Sequence, residues 1–175
     1  VNCAGIQRYG TVVDTSVELW DEVMNVNLKG VFLMCKHVIP VMRKQQGGAI
    51  VNISSVQAFV TQKQVAAYTA SKGAINALTR AMAVDHAAEG IRVNAICPAS
   101  VDTPMLRWAA GLFGGDVEET VKSWGKAHPI GRVARADEIA EAVLFLASDS
   151  SSFITGSELK VDGGTTSMIA VALPD

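Results

Sequence analysis

Long apolar runs, blocks of like charge and clustered metal-ligand residues are all missing from this sequence of 175 residues. No stretch approaches the roughly 20 apolar residues of a membrane-spanning helix, so no membrane partner is expected. The charges are interspersed, with 15 Lys and Arg against 17 Asp and Glu, and the net charge is -2. Without a basic stripe, the chain is not expected to bind nucleic acid. The expected partners are small molecules and other protein subunits.

Cysteine is scarce, and its 3 residues, Cys3, Cys35 and Cys97, lie far apart without a Cys-x-x-Cys spacing. An odd number of separated cysteines, two of them in apolar stretches, predicts buried free thiols rather than disulfides or a zinc site. The 3 histidines are equally isolated, so no catalytic metal is expected. Because the first residues do not resemble a signal peptide, we expect a cytoplasmic protein.

Apolar residues, in contrast, make up 49% of the chain, which is enough for the core of one domain over 1–175. Their spacing predicts a long helical region from about 16 to 45, broken once, and an alanine-rich helix from 66 to 89. Short β-branched runs predict buried strands. The predicted strands are 49–53, 91–97 and 159–161, and a further helix is predicted at 136–147.

The order of these elements is βαβαβ, which predicts an α/β fold with a parallel sheet covered by helices on both faces. The segment from about 99 to 135 interrupts that order and contains glycines, prolines and two short amphipathic stretches. A long connection of this kind predicts a lid or substrate loop. Ligands of such folds bind beyond the carboxyl ends of the strands.

Tyr68 and Lys72 lie four residues apart on a predicted helix, and Ser55 follows the end of a predicted strand. Residues at positions i and i+4 share one helix face, so the phenol and the ammonium can converge on one site. The pair alone also fits a half-buried ring beside a solvated charge. Ser55 at a fixed offset, together with the other motifs, favours a catalytic site.

Seven motifs together resemble the short-chain dehydrogenase/reductase family, in matching order and spacing, over essentially the whole chain. They include the Ser55 and Tyr68-x-x-x-Lys72 elements. The others are Asn2-Cys3-Ala4-Gly5, Val26-Asn27-Leu28-x-Gly30, Arg92-Val93-Asn94-x-Ile96-x-Pro98, Thr103-Pro104-Met105 and Val161-Asp162-Gly163-Gly164.

This resemblance implies a Rossmann-like doubly wound parallel sheet, with the chain corresponding to the C-terminal two-thirds of one domain. It also implies hydride transfer between a secondary alcohol or ketone and a nicotinamide cofactor, NAD or NADP. The similarity extends to 3-oxoacyl-carrier-protein reductases and to sugar or polyol dehydrogenases, so both substrate classes stay open. A homodimer or homotetramer is implied as well, through the helices at about 27–45 and 66–89.

The resemblance gives four residues catalytic roles. Tyr68 would be the acid/base, and Ser55 would hydrogen-bond the reacting oxygen. Lys72 would lower the pKa of the phenol and bind the ribose of the nicotinamide half. Asn27 would anchor a water that links Lys72 to solvent, although a buried amide at a helix break also fits a purely structural role.

Further residues match the family's cofactor contacts. Asn2, Ala4 and Gly5 correspond to the turn beside the adenosine, where small residues let the backbone approach a ligand. An ordinary strand-end turn would fit these three residues too. Cys3 stands where the family more often has asparagine, and Ala99 where it usually has glycine.

The loop after the second predicted strand matches the family segment that holds the nicotinamide carboxamide. Its matching residues are Pro98, Val101 and Thr103. Downstream, several large apolar residues fit either an apolar substrate wall or packing of the lid on the core. These are Met105, Trp108, Phe113 and Trp124.

A glycine-rich turn between a strand and a helix, which would bind the cofactor's pyrophosphate, is missing from the sequence. We expect it, and the residue that distinguishes NAD from NADP, upstream of Val1. The sequence leaves two hypotheses: a piece of an active oxidoreductase, or a truncated non-catalytic protein that acts through subunit contacts. The intact Ser55, Tyr68 and Lys72 set favours the first.

Overall fold

The computed structural model describes residues 1–169. Its centre is a parallel sheet of three strands in the order β1 (Gly48–Ile53), β2 (Ile91–Pro98) and β3 (Glu158–Val161). β1 and β2 pair from Gly48 with Ile91 to Ile53 with Ile96. The predicted strands are confirmed, except that β2 continues through Pro98, which pairs with Val161.

The first residues of the chain extend this sheet beside β1. The Asn2 amide donates to the Val51 carbonyl at 2.9 Å, and the Ile53 amide donates to the Asn2 carbonyl at 2.9 Å. These bonds form an isolated parallel bridge between Asn2 and Asn52. The turn at Cys3 to Gly5 therefore leaves the sheet at the same edge as the carboxyl end of β1.

The helices lie close to their predicted positions. The predicted break in the first region is a π-helical turn at Asn25–Lys29 between α1 (Val17–Met24) and α2 (Gly30–Lys44). Gly90 ends the second region in the left-handed conformation, with φ 73°. The remaining helices are α3 (Ala66–His86), α4 (Pro104–Leu112), α5 (Val117–Gly125) and α6 (Ala136–Ala147).

Two apolar cores cover the two faces of the sheet, as the fold class predicts. On one face α2 and α3 pack on β1 and β2 through Cys35, Ile39, Ile75 and Val93. On the other face α6 packs through Ile139 and Leu146 against Val51 and Ile96. The Rossmann-like α/β prediction is confirmed.

The segment predicted as a lid contains more regular structure than its composition suggested. α4 begins at the N-cap Thr103 and α5 at the N-cap Asp116, and both caps accept a hydrogen bond from the first helical turn. Gly114 and Gly115 join the helices with φ values of 74° and 84°. A turn of two left-handed residues favours glycine, which explains the pair.

Within residues 1–169, no helix is long and apolar enough to cross a membrane. The same residues contain no group of three or more His, Cys, Asp or Glu side chains placed to hold a metal ion. Cys35 and Cys97 are buried free thiols, as predicted, but Cys3 is exposed. That correction follows from the position of Cys3, which lies in the turn that leaves the sheet.

Candidate active site

The residues predicted to be catalytic meet at the carboxyl edge of the parallel sheet. β1 ends at Ile53, and Ser55 begins a short 3₁₀ helix directly afterwards. Tyr68 lies in the first turn of α3, and Lys72 lies one turn further along. Strand ends and helix starts converge at this edge in parallel sheets, so the fold itself assembles the site.

Ser55 is placed by its own hydrogen bond. Its backbone is extended (φ -166°), and its hydroxyl accepts from the Gln57 amide at 3.1 Å as the cap of the 3₁₀ helix. The same hydroxyl lies close enough to the Tyr68 phenol to lower its pKa through hydrogen bonding. Ser55 is only 7% exposed, so the hydroxyl group stands in a desolvated position next to the tyrosine.

Burial dominates the chemistry of Tyr68. The side chain is 8% exposed, and the loss of solvent raises the pKa of the phenol to about 12, against the opposing effect of the Ser55 hydrogen bond. This corrects the expectation that Lys72 depresses the pKa of the phenol. Desolvation disfavours the anion more than the neighbouring groups favour it.

Lys72 is a buried ammonium beside that phenol. Its Nζ lies 5.4 Å from the centre of the Tyr68 ring and donates to the Ile53 carbonyl at 2.9 Å. Its main-chain carbonyl accepts from the Ser54 hydroxyl at 3.1 Å. Burial lowers the pKa of Lys72 to about 8, although the thiols of Cys3 and Cys97 oppose this shift.

Asn27 organises the main chain next to the site. It lies in the π-helical turn and is fully buried. Its Oδ1 accepts from the Ile6 amide at 2.8 Å, and its Nδ2 donates to the Ile6 carbonyl and the Ser71 hydroxyl, both at 3.0 Å. The side chain therefore clamps the segment after Gly5, which is the structural role that its sequence context also allowed.

The turn predicted to lie beside the adenosine borders Lys72. A side chain at Gly5 would place its Cβ 3.4 Å from Asn27 Oδ1 and 3.6 Å from Lys72 Nζ, so the glycine leaves this space open. Ala4 is exposed at the same turn. Asn2 instead turns inward, where its amide donates to Asn52 Oδ1 at 2.8 Å.

The loop after β2 lies at the same carboxyl edge of the sheet. Pro98 is buried at the end of the strand, and Val101 forms a parallel bridge with Ala134. The Thr103 hydroxyl donates to the Val101 carbonyl at 3.2 Å and caps α4. Thr103 is therefore the N-cap of the helix that carries Trp108.

Two residues near the site were not predicted from the sequence. Ile6 supplies the main-chain groups that Asn27 holds, and Tyr9 packs against the rings of Trp108 and Phe113. Neither contact has a sequence signal, since each joins segments far apart in the chain.

The arrangement fits a ligand with hydroxyl groups and a proton to exchange. An ammonium carries three N–H donors, and among residues 1–169 Lys72 Nζ has one hydrogen-bonded acceptor, the Ile53 carbonyl. The ammonium therefore has two further N–H donors, and Nζ borders the space that Gly5 leaves open. Hydroxyl groups of a ligand, such as those of a ribose, would suit these donors, and the Tyr68 phenol carries an exchangeable proton.

Comparison with known proteins gives a consistent result. The model of a family described as enoyl-(acyl carrier protein) reductase matches residues 1–166. The 2-(S)-hydroxypropyl-CoM dehydrogenase 3 of Xanthobacter autotrophicus is 43% identical over 169 residues, which are 96% of this chain and 66% of that protein. The cyclopentanol dehydrogenase of Comamonas testosteroni is 44% identical over 166 residues, covering 95% of this chain and 64% of the relative.

Solved structures agree with the sequence relatives. The ligand-free aldohexose dehydrogenase of Thermoplasma acidophilum superposes with a TM-score of 0.96 and is 43% identical, covering 99% of this chain and 69% of that one. The chain spans about two thirds of the length of the curated relatives it matches, 66% of the first.

Proposed function

The chain belongs to the short-chain dehydrogenase/reductase family, and from this premise we propose that the protein is an NAD- or NADP-dependent oxidoreductase that interconverts a secondary alcohol and a ketone. The observation that supports this most is the meeting of the Ser55 hydroxyl, the Tyr68 phenol and the Lys72 ammonium at one desolvated edge of the sheet. The relatives reported above are dehydrogenases of alcohols and sugars, which agrees with the proposed chemistry.

Tyr68 is the acid/base in this proposal. In the reductive direction its phenol gives a proton to the carbonyl oxygen, and in the oxidative direction its phenolate takes the proton of the alcohol. The nicotinamide cofactor, when bound, supplies or accepts the hydride. A phenol with a pKa of about 12 is protonated at neutral pH, and nearby positive charge is needed to stabilise the phenolate in either direction of the reaction.

In this proposal Ser55 positions the substrate oxygen, and Lys72 supplies positive charge beside the phenol. The Ser55 hydroxyl lies beside the phenol and can hold the same substrate oxygen within reach of it. Lys72 supplies positive charge 5.4 Å from the Tyr68 ring and keeps two N–H donors for ribose hydroxyls. We propose that Asn27 acts by fixing Ile6, and therefore the Gly5 turn, because its side chain is engaged there.

The remaining predicted cofactor contacts form part of the same proposal. Gly5 and Ala4 leave the adenosine side open, and Pro98, Val101 and Thr103 frame the nicotinamide side. Asn2 contributes by holding the turn to β1 through Asn52 rather than by touching the ligand.

The test is turnover by the protein expressed from its complete coding sequence, including any codons before Val1. A panel of secondary alcohols is assayed with NAD and with NADP by the absorbance of the reduced cofactor. Oxidation of at least one alcohol with one cofactor is expected. Failure of every alcohol and the matching ketones, with cofactor binding intact, would contradict the proposal.

A second copy of the chain is the proposed protein partner. An apolar groove of about 490 Å³ runs between α2 and α3, and it continues from the π-helical turn. Its lining includes Leu28, Phe32 and Leu78, with Phe32 47% exposed although it is a large apolar side chain. These are the two helices through which the family resemblance implies pairing, so the groove suits a self-complementary contact.

A further inference from the structure

Three aromatic rings form an uncovered wall beside the catalytic edge. The Tyr9 ring lies 5.8 Å from Phe113 in an edge-to-face arrangement and 6.3 Å from Trp108. Trp108 nevertheless stays 45% exposed and Phe113 63% exposed. A cluster that served only to pack α4 and α5 on the body of the protein would cover these rings, and this one leaves much of their surface open.

The segments that carry the wall adjoin the candidate active site on both sides. Gly10, next to Tyr9, donates to the Gln64 carbonyl at 2.7 Å and bridges Val65, immediately before the helix that carries Tyr68. Trp108 lies on α4, which begins at Thr103 in the loop after β2. The rings thus join the two segments between which the proposed substrate would lie.

The position of Tyr9 is held firmly. Asn27 clamps Ile6, and Arg8 pairs with Glu22 at 2.7 Å, so the segment is fixed on both sides of residue 7. Gln64 adopts a left-handed φ of 64°, a conformation that costs about 1 kcal/mol or more for a residue with a side chain. The Gly10 hydrogen bond to that same residue is a contact that can offset the strain.

The α4–α5 side of the contact is held by charge. Arg107 donates to Asp102 Oδ1 at 2.6 Å and also pairs with Glu118, which ties the loop before α4 to the first turn of α5. The tip between the helices consists of Phe113 and two glycines with open surroundings. The Phe113 ring is held from two sides, because Tyr9 packs on it at 5.8 Å and Trp124 of α5 packs on it edge-to-face at 6.1 Å.

From these contacts we propose that Tyr9 is a specificity-determining residue, which with Trp108 and Phe113 recognises the C–H face of a ring-shaped secondary alcohol or the matching ketone. The inference rests on the proposed function and names the substrate class of that site. Aromatic faces bind flat C–H surfaces through dispersion and the hydrophobic effect. An alicyclic alcohol and a pyranose both present such a C–H surface. The experiments below test the two kinds of ring separately.

The experiment compares kcat/KM for cyclohexanol and 2-propanol in the wild-type protein and in variants. Both are secondary alcohols, but 2-propanol has no ring to reach the wall. Tyr9→Ala is expected to lower kcat/KM for cyclohexanol about tenfold and to change that for 2-propanol less than about twofold. Phe113→Ala, on the other side of the contact, should give the same selective loss.

Two control variants distinguish the loss of the Tyr9 ring contact from a general effect on folding. Tyr9→Phe keeps the ring and removes only its hydroxyl group, so both alcohols should keep their kcat/KM values. Trp20→Ala removes an aromatic side chain from α1, outside the wall, and should also leave the ratio unchanged. Equal losses for both alcohols in Tyr9→Ala, or no loss for cyclohexanol, would overturn the inference.

Binding without turnover distinguishes this inference from the proposed function. Cyclohexanone and glucose are titrated against the tryptophan fluorescence of the Trp20→Phe protein, in which Trp108 and Trp124 remain of the 3 tryptophans in this sequence and any tryptophan outside it is also replaced by Phe. Quenching by cyclohexanone or by glucose that is lost in Tyr9→Ala supports recognition by the aromatic wall, even if turnover fails. The compound that quenches shows whether the ring is alicyclic or a pyranose. Turnover of 2-propanol without any ring-dependent quenching would sustain the proposed function and overturn the wall.

Discussion

The buried charge of Lys72 lowers the stability of the folded protein while it serves the candidate active site. The side chain is 4% exposed, and burial lowers the pKa of its ammonium from 10.5 to about 8. Because the unfolded chain binds this proton more tightly, the folded state is penalised at neutral pH. The penalty amounts to about 3 kcal/mol at about 1.4 kcal/mol per pKa unit. The site therefore holds a charge that the core would otherwise exclude.

This penalty gives Lys72→Met a distinctive pH dependence. Below pH 8 the lysine is charged in both states and its full penalty applies; between pH 8 and 10.5 the folded state loses the proton first, and the penalty fades. The unfolding free energy of the variant minus that of the wild type should fall by about 2 kcal/mol from pH 7 to pH 9.5.

Urea unfolding at the two pH values measures this difference. The exposed Lys44 supplies the control, since Lys44→Met should show no such change. A difference for Lys72→Met that is constant with pH would mean that the lysine is hydrated in the folded protein.

The residue scale also shows where sequence reasoning succeeds and fails. The i, i+4 spacing of Tyr68 and Lys72 was enough to predict their convergence, because helix geometry fixes it. The direction of the Tyr68 pKa was wrong, because burial depends on the whole fold rather than on the neighbour. Tyr9 was not predicted, because its contacts with Trp108 and Phe113 span about a hundred residues of sequence.

At the scale of elements, one arginine of β2 supplies hydrogen bonds to the C-terminal end of α6. Arg92 of β2 donates to the carbonyls of Leu146 and Ser148 and to the Ser151 hydroxyl, each at 2.9 Å. These carbonyls lie at the C-terminal end of α6, where a positive charge is stabilising and the last carbonyls lack helical partners.

Arg92→Met should therefore lower the free energy of unfolding by about 2–3 kcal/mol, because half-buried carbonyls lose charged donors. Chemical denaturation measures the change. Arg43→Met serves as the matched control, since Arg43 pairs with Glu89 at a side-chain exposure of 55% and such surface pairs contribute about 1 kcal/mol or less. Equal losses in the two variants would refute the proposed role of Arg92.

Elements were largely predictable because their signals are local. Apolar periodicity and the break near Asn27 predicted the region that became α1, the π-helical turn and α2. The helical order of α4 and α5 was less evident, since their caps at Thr103 and Asp116 follow turn residues that also suit irregular loops. The continuation of β2 through Pro98 depended on its pairing with Val161, which no local pattern signals.

At the scale of the whole molecule, the groove between α2 and α3 makes self-association testable. Phe32→Glu would place a charge in the groove and should shift the oligomer to a smaller species in light scattering. Val41→Glu is the matched control, because Val41 lies on the same helix, is 53% exposed and does not line the groove. An unchanged mass for Phe32→Glu, or a wild-type monomer, would count against this interface.

The central claim is that the Tyr68 phenol moves the proton in an alcohol-ketone interconversion. The direct measurement is turnover and nicotinamide cofactor affinity of Tyr68→Phe beside the wild type, with the protein expressed from its complete coding sequence. The account expects kcat to fall at least about 100-fold, the scale of a lost acid/base, with cofactor affinity within about threefold. A Tyr68→Phe variant that retained turnover within about tenfold of the wild type would contradict it.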